Sequence, residues 1–408
     1  MKKQKLAEKK SSKPLFKERV QNLINARFKI WPDSMSQLKE QIKEEIEESD
    51  KIDSAELDQI IKEYVDNLLA ADLEDTDFNR LDDAFNALIQ KGIFCVHNIQ
   101  TTPSSCWMGV KEQLDEYKQK KQETPTSVQF EPESIWAVAF YHFQDTERAA
   151  QGMPLSISYI AIADGEQEQI DTIKAKFLIM GILKQFNLKI ISPSFDIEEK
   201  IFLDLKWQVP LSRVSNMEQN RGIAVEYTKN PKLDLPLEKY KQIIEEGEKS
   251  IDRSKSFNAY EHYYIDQLLD LILDDGEETK DKKIFLLEEL NKYLEIKSLV
   301  FSKLSDQNMQ ELRRMETMSK FFMFTSKIPE EMKEMVDCFK IYESTKQAVK
   351  LLGQLFNQTK AEKQVAVPTP QGALLPAYNA SFRDVTKEPT SVESKDKKSD
   401  RVKKTIGL

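Results

Sequence analysis

A chain of 408 residues, 40% hydrophobic and 32% charged, is long enough for two or three domains with cores of their own and has the make-up of an ordinary soluble protein. Its three scattered cysteines, Cys95, Cys106 and Cys338, argue against a disulfide framework and for a reducing compartment. The net charge of −9 is uneven: residues 1–30 hold ten Lys/Arg against two acids and residues 361–408 hold nine against six, which leaves −20 on the body and makes nucleic acid an unexpected partner there.

No run approaches the ~20 apolar residues of a membrane helix; the greasiest, "FLIMGILKQF" from Phe177, is short and broken by Lys184. The basic start has no apolar stretch behind it, so no secretory signal is expected and the cytoplasm is the default location. Residues 1–30 form a basic N-terminal segment, polar up to residue 12. From Lys13, "KPLFKERVQNLINARFKIW" sets Phe16, Val20, Leu23 and Ile24 on one helical face, which predicts docking onto an acidic body.

Two helices follow. "SAELDQIIKEYVDNLLAAD" places Leu57, Ile60, Ile61, Tyr64, Val65, Leu68 and Leu69 in helical rhythm, with Asp53 and Glu56 as a capping-box-like start. "DTDFNRLDDAFNALIQKG" turns Leu81, Ala84, Phe85 and Leu88 inward, and Gly92 can close it. The texture then changes. "IFCVHNI" (93–99), "IWAVAFYHF" (135–143), "LSISYIAI" (155–162), "LKIIS" (188–192) and "KIFLDLKW" (200–207) are short, β-branched and aromatic, hence strands. Helices are expected after Trp107 and from about Glu166 to Phe186. Several strands are apolar on both faces, which predicts a sheet covered on both sides.

After a connector at 211–235, residues 236–359 read as a helical bundle domain. Leu268, Leu269 and Ile272 belong to one helix, Leu286, Leu287, Leu290 and Leu294 to the next, Leu312, Met315, Met318 and Phe322 to a third, and Met332, Met335, Val336 and Phe339 to a fourth. Its methionines are expected as core filler. Residues 360–408 lose all periodicity and read as a disordered tail. The expected class is thus α+β: a mixed sheet of about five strands flanked by helices within 31–210, followed by the C-terminal helical bundle.

Phosphate-loop, dinucleotide-loop, HExxH, GxSxG, EF-hand and CxxC patterns are all missing, which removes the best-marked enzyme classes. The polar residues that stand among apolar neighbours are His97 and Asn98, Tyr141 and His142, and Gln144 and Asp145. Alternation puts Cys95 and His97 on one face of their strand and His142 on a face with Val138 and Phe140. One reading makes His142 a buried neutral imidazole and Asp145 the cap of a short helix that ends at Gly152. The other turns His97 and His142 into one cleft, with Asp145 or Glu147 orienting an imidazole as a catalytic base; Asn98, Tyr141, Gln144 and Trp107 would then line a binding surface. Cys95, His97, Cys106 and His142 are zinc-ligand types, but their spacing matches no standard zinc site, so no metal or other cofactor is expected. Trp107, Trp136 and Trp207 are expected in the core.

The blocks "TDFNRLDDAFNALIQKGIFCVHN", "SSCWMGVKE", "VAFYHFQDTERA" and "LDLKWQ" resemble an uncharacterised bacterial domain family over roughly residues 70–210. The resemblance is carried by Arg80, Leu81, Ala84, Phe85, His97, Asn98, Trp107, Tyr141, His142, Gln144, Asp145 and Trp207. Ser105 and Cys106 stand where that family has an acidic-glycine turn, and Ile160 and Ala161 where it has a glycine. The resemblance implies a domain and no activity. Three functional expectations stand: a non-catalytic protein-binding or regulatory protein with a protein partner, an enzyme of unmarked class using His97, His142 and Asp145, and an effector exported into a host cell through its polar C-terminal tail.

Overall fold

The computed structural model describes residues 16–26, 40, 42–44, 54–70, 75–99, 106–123, 134–163, 165–191, 200–210, 213–214, 217, 221–223, 225–226, 230–251, 259–272, 274, 276–319 and 328–365. The chain divides into two compact units, Met1–Glu362 and Lys363–Leu408. Asp53, Phe322 and nearly all of the tail at 360–408 lie outside the described residues, as do the side chains of Leu69 and Met318.

Residues 16–26 are helical, with Val20 and Ile24 wholly buried and Phe16 and Leu23 packed on the core, so the basic N-terminal helix docks as its apolar face requires. Helix α1 (Ser54–Ala70) buries Leu57, Ile61 and Val65. Helix α2 (Asp77–Gln90) starts where the Thr76 hydroxyl accepts the Asn79 N–H and stops at Lys91. Gly92 follows at φ +80, where a Cβ would sit 2.6 Å from Trp136 Cδ1, so only glycine fits this turn.

Then come β1 (Ile93–Ile99), α3 (Cys106–Glu123), β2 (Ala137–His142), α4 (Phe143–Ala150), β3 (Leu155–Ala161), α5 (Glu166–Gln185), β4 (Lys189–Ile190) and β5 (Ile201–Asp204). All five expected strands form. The sheet runs β1-β2-β3-β5-β4; β1 and β2 are parallel, joined across α3, and the remaining pairs are antiparallel.

Register decides which side chains share a face. Cys95 lies opposite Ala139, Ala139 opposite Tyr159, and Ile157 opposite Ile201, so the odd-numbered residues of β1, β2, β3 and β5 look one way. Helices α2 and α5 cover that face: α2 brings Asp82 to His97, and α5 sets Lys176 over the Tyr159 ring. On the other face α3 meets β1 where Tyr117 packs on Phe94, and α4 reaches β3 where Asp145 meets Ser156. Beyond α4 this face is partly exposed. Strand β5 alternates buried and exposed, and Ile160, Ile162, Ile191 and Phe202 stay between 36% and 47% exposed. Among the described residues the expectation of a sheet covered on both sides therefore fails over the end of β3, β5 and β4, since α4 reaches only the start of β3, at Ser156.

The helical region consists of α6 (Leu237–Ser250), α7 (Ala259–Leu271), α8 (Glu277–Phe301), α9 (Asp306–Ser319) and α10 (Glu330–Val365). Leu268, Leu269, Leu286, Leu287, Leu290, Leu294, Leu312, Met315, Val336 and Phe339 are buried as their spacing predicts, whereas Met335 is 42% exposed. Ile272 falls just past the end of α7 and packs against α5, where a Cβ on Gly181 would come within 2.0 Å of its Cγ2. Asp270 accepts Lys184 of α5 and Lys232 of the preceding connector, each at 2.7 Å. Lys282, fully buried, donates to the Leu233 carbonyl at 2.9 Å, so the connector is tied down by side chains on both of its sides.

Candidate functional site

His97 is 4% exposed and packs against Phe78, Phe85 and Tyr141, with Trp207 edge-on to Phe78 and Tyr141. Its Nδ1 is 2.7 Å from the Tyr141 hydroxyl and its Nε2 is 3.2 Å from Asp82 Oδ1. The tautomer that suits both neighbours holds its proton on Nε2, facing the carboxylate, and accepts the tyrosine O–H at Nδ1. Asp82 Oδ2 accepts the Arg213 Nε–H at 2.6 Å, and Arg213 also pairs with Asp83. The result is a continuous chain, Tyr141–His97–Asp82–Arg213–Asp83, running from β2 through β1 and α2 to Arg213 of the connector.

The electrostatics follow from burial. Burial pushes the Asp82 carboxyl up, but the His97 bond and the Arg213 guanidinium outweigh it and hold the group below its usual range. At Asp83, half-buried, burial outweighs Arg213 and the carboxyl titrates higher than usual. Burial, with the Asp82 charge behind it, drives the Tyr141 hydroxyl well above its ordinary value. Tyr141 therefore stays protonated and serves as a donor. Tyr141, His97 and Asp82 are closed off from solvent, and only Arg213 and Asp83 at the far end are partly exposed.

His142 belongs to the opposite face. It caps α4: its Nδ1 accepts the Gln144 N–H at 3.1 Å, and Asp145 Oδ2 accepts the His142 N–H at 3.2 Å. Asp145 is thus the third residue of the helix, closing a reciprocal capping box, and the cap itself is His142. The expectation that Asp145 caps the helix is corrected by one turn of backbone, because β2 continues straight into α4 with no intervening loop. Gly152, at φ +80, ends the helix as expected. The second carboxylate oxygen of Asp145 accepts from Ser156, and Lys200 stands 3.9 Å away. Burial lowers the affinity of His142 for a proton; Lys200 and Arg148 push the same way and Asp145 opposes them.

Asn98, at φ +47, occupies a bulge; its amide donates to the Ala26 carbonyl at 3.2 Å and accepts from Thr146 at 3.1 Å. Trp107 is half-buried near the start of α3, and the Gln144 side chain is exposed. Trp207 donates its indole N–H to the Asn25 carbonyl at 3.2 Å. His97 and His142 do not share a cleft: each has its own carboxylate, on its own side of the sheet. The strand register, which a single sequence does not display, makes the difference.

Asp82 and Arg213 were not among the sequence candidates. Asp82 left a legible signal, since it stands four residues after Phe78 and three before Phe85, on the inward stripe of an amphipathic helix. Arg213 left none. Among the described residues no group of three or more His, Cys, Asp or Glu side chains is placed to hold a metal ion, and Cys95 and Cys106 are separately buried thiols. None of the described helices is long and apolar enough to cross a membrane.

No curated protein and no solved structure matches this chain. Residues 11–210, which hold His97, His142 and the whole sheet, match the family described as Domain of unknown function (DUF6891).

Proposed function

We propose that this is a non-catalytic protein-binding protein whose docking surface is the open half of the sheet. The observation that carries the reading is the exposure of Ile160, Ile162, Ile191 and Phe202 on the face that α3 and α4 leave uncovered. Phe202 lies opposite Ser156, and Ile191 donates its N–H to the Phe202 carbonyl, so these side chains come from adjoining strands and turn to one side. A patch of a few hundred Å² is below the roughly 800 Å² per partner of a standard protein pair, but three strands about 4.8 Å apart match the ~10 Å width of a helix. The occupant that fits is an amphipathic helix of another protein, seated as α2 and α5 are seated on the opposite face. The closed state of the His97 chain and the capping duty of His142 support a non-catalytic role.

The test is the double variant Ile160→Asp/Phe202→Asp. Both positions are exposed, so its stability should stay within about 1 kcal/mol of wild type. Loss of a saturable protein partner in this variant, with unfolding unchanged, is the expected result. A partner held equally by both forms, or a turnover activity that vanishes in His142→Ala while the domain stays folded, would remove the reading.

A further inference from the structure

The cap of α4 depends on a lone pair. His142 can accept the Gln144 N–H at Nδ1 only while its imidazole is neutral with the proton on Nε2. The usual capping side chains, Ser, Thr, Asn and Asp, keep an acceptor oxygen at neutral and mildly acid pH; an imidazole does not. When the ring takes a proton from solvent at Nδ1, two donors face each other across 3.1 Å and the cap is lost. The nearest acceptor for the new N–H is Asp145 Oδ2, at 3.6 Å, which already accepts the His142 backbone N–H.

The other groups around the ring come from every element packed there. Helix α4 supplies Asp145 and Arg148, β3 supplies Ser156, the residue just before β5 supplies Lys200, and β1 places the neutral Ile99 opposite. Turning Asp145 toward a charged ring would pull it from the backbone N–H that completes the capping box and from Ser156, which fastens α4 to β3. Thr146 and Ala149, buried beneath α4, would follow.

We infer that α4 is a proton-operated clasp: neutral His142 holds the first turn of the helix and its carboxylate against the sheet, and a protonated ring trades that cap for an ion pair with Asp145 and loosens α4. The device does not depend on the docking surface proposed above.

Amide hydrogen exchange on the full chain tests it. Protection of the α4 first turn, corrected for intrinsic exchange, is expected to fall about tenfold between about pH 7.5 and about pH 5 in the wild type and to stay level in His142→Asn, whose amide oxygen caps without titrating. The chain has only three histidines, so ring resonances of histidine-labelled protein follow His142 directly, with the variant giving the assignment. Should the variant not fold, the wild type alone decides: ring titration and loss of α4 protection must share one midpoint, below the ordinary 6.5. A parallel fall in both proteins, a ring that titrates while α4 stays protected, or a ring that never titrates above pH 4 would overturn the inference.

Discussion

The Asp82 carboxylate and the His97 imidazole meet at 3.2 Å inside the core, joining α2 to β1, and the other Asp82 oxygen is closed by Arg213 at 2.6 Å. A buried carboxylate is costly unless each oxygen is answered, and here both are. Replacing Asp82 by Ala strips two partners at once, so a loss of about 3 kcal/mol is expected in urea unfolding. Tyr141→Phe removes a single donor and leaves Nδ1 unanswered, for about 1–2 kcal/mol with the fold retained.

Acid should weaken the protein in two separate ranges. The folded state depresses His142, so the unfolded chain binds more protons; this contribution is complete above 6.5 and is lost as pH falls below it. Asp82 is also depressed, and its contribution is present above its usual value of 3.8 and is lost as pH falls through its lower folded value. Unfolding free energy measured against pH should show both declines in the wild type, and His142→Asn should show a smaller upper one, the remainder belonging to His262, which burial also depresses.

Helices α5 and α7 come close because Gly181 has no side chain. Gly181→Ala puts a methyl group into Ile272 and should cost about 1–3 kcal/mol, the usual penalty of overpacking. The double variant Gly181→Ala/Ile272→Ala should recover part of that loss; thermodynamic cycles on the four proteins measure the coupling.

Glu261 and Lys297 form an ion pair that is almost wholly buried between α7 and α8. Burial raises the glutamate's proton affinity even though Lys297 opposes it, which marks the pair as barely balanced. Lys297→Met should destabilise the chain by about 3 kcal/mol by leaving the buried Glu261 charge without its cation. Glu261→Met/Lys297→Met should be near neutral, and calorimetry distinguishes the two outcomes.

Local sequence announced most of this architecture. The β-branched runs became strands at nearly their expected positions, and the helices of residues 236–359 buried the leucines that their spacing marks. These features depend on neighbours a few residues away. What stayed hidden depends on pairing between distant segments. The alternation along each strand was right, yet only the register of β1 on β2 shows that His97 accompanies Tyr141 and not His142. The open stretch of sheet was hidden for the same reason, since Phe202 and Ile160 look like core residues until the helices above them are counted. Asp82 was legible as an acid on an apolar stripe; its guanidinium partner, 131 residues away, was not.

Arg213 and Ile272 both lie beyond residue 210, where the family match ends. A fragment cut at that border would keep Asp82 but discard the cation that neutralises it, and would leave a notch at Gly181 with nothing to fill it. Gly222, whose amide donates to Asn86 on α2 at 2.8 Å, would go as well. In this chain the downstream half completes the interior of the upstream one, so severing them would wound both.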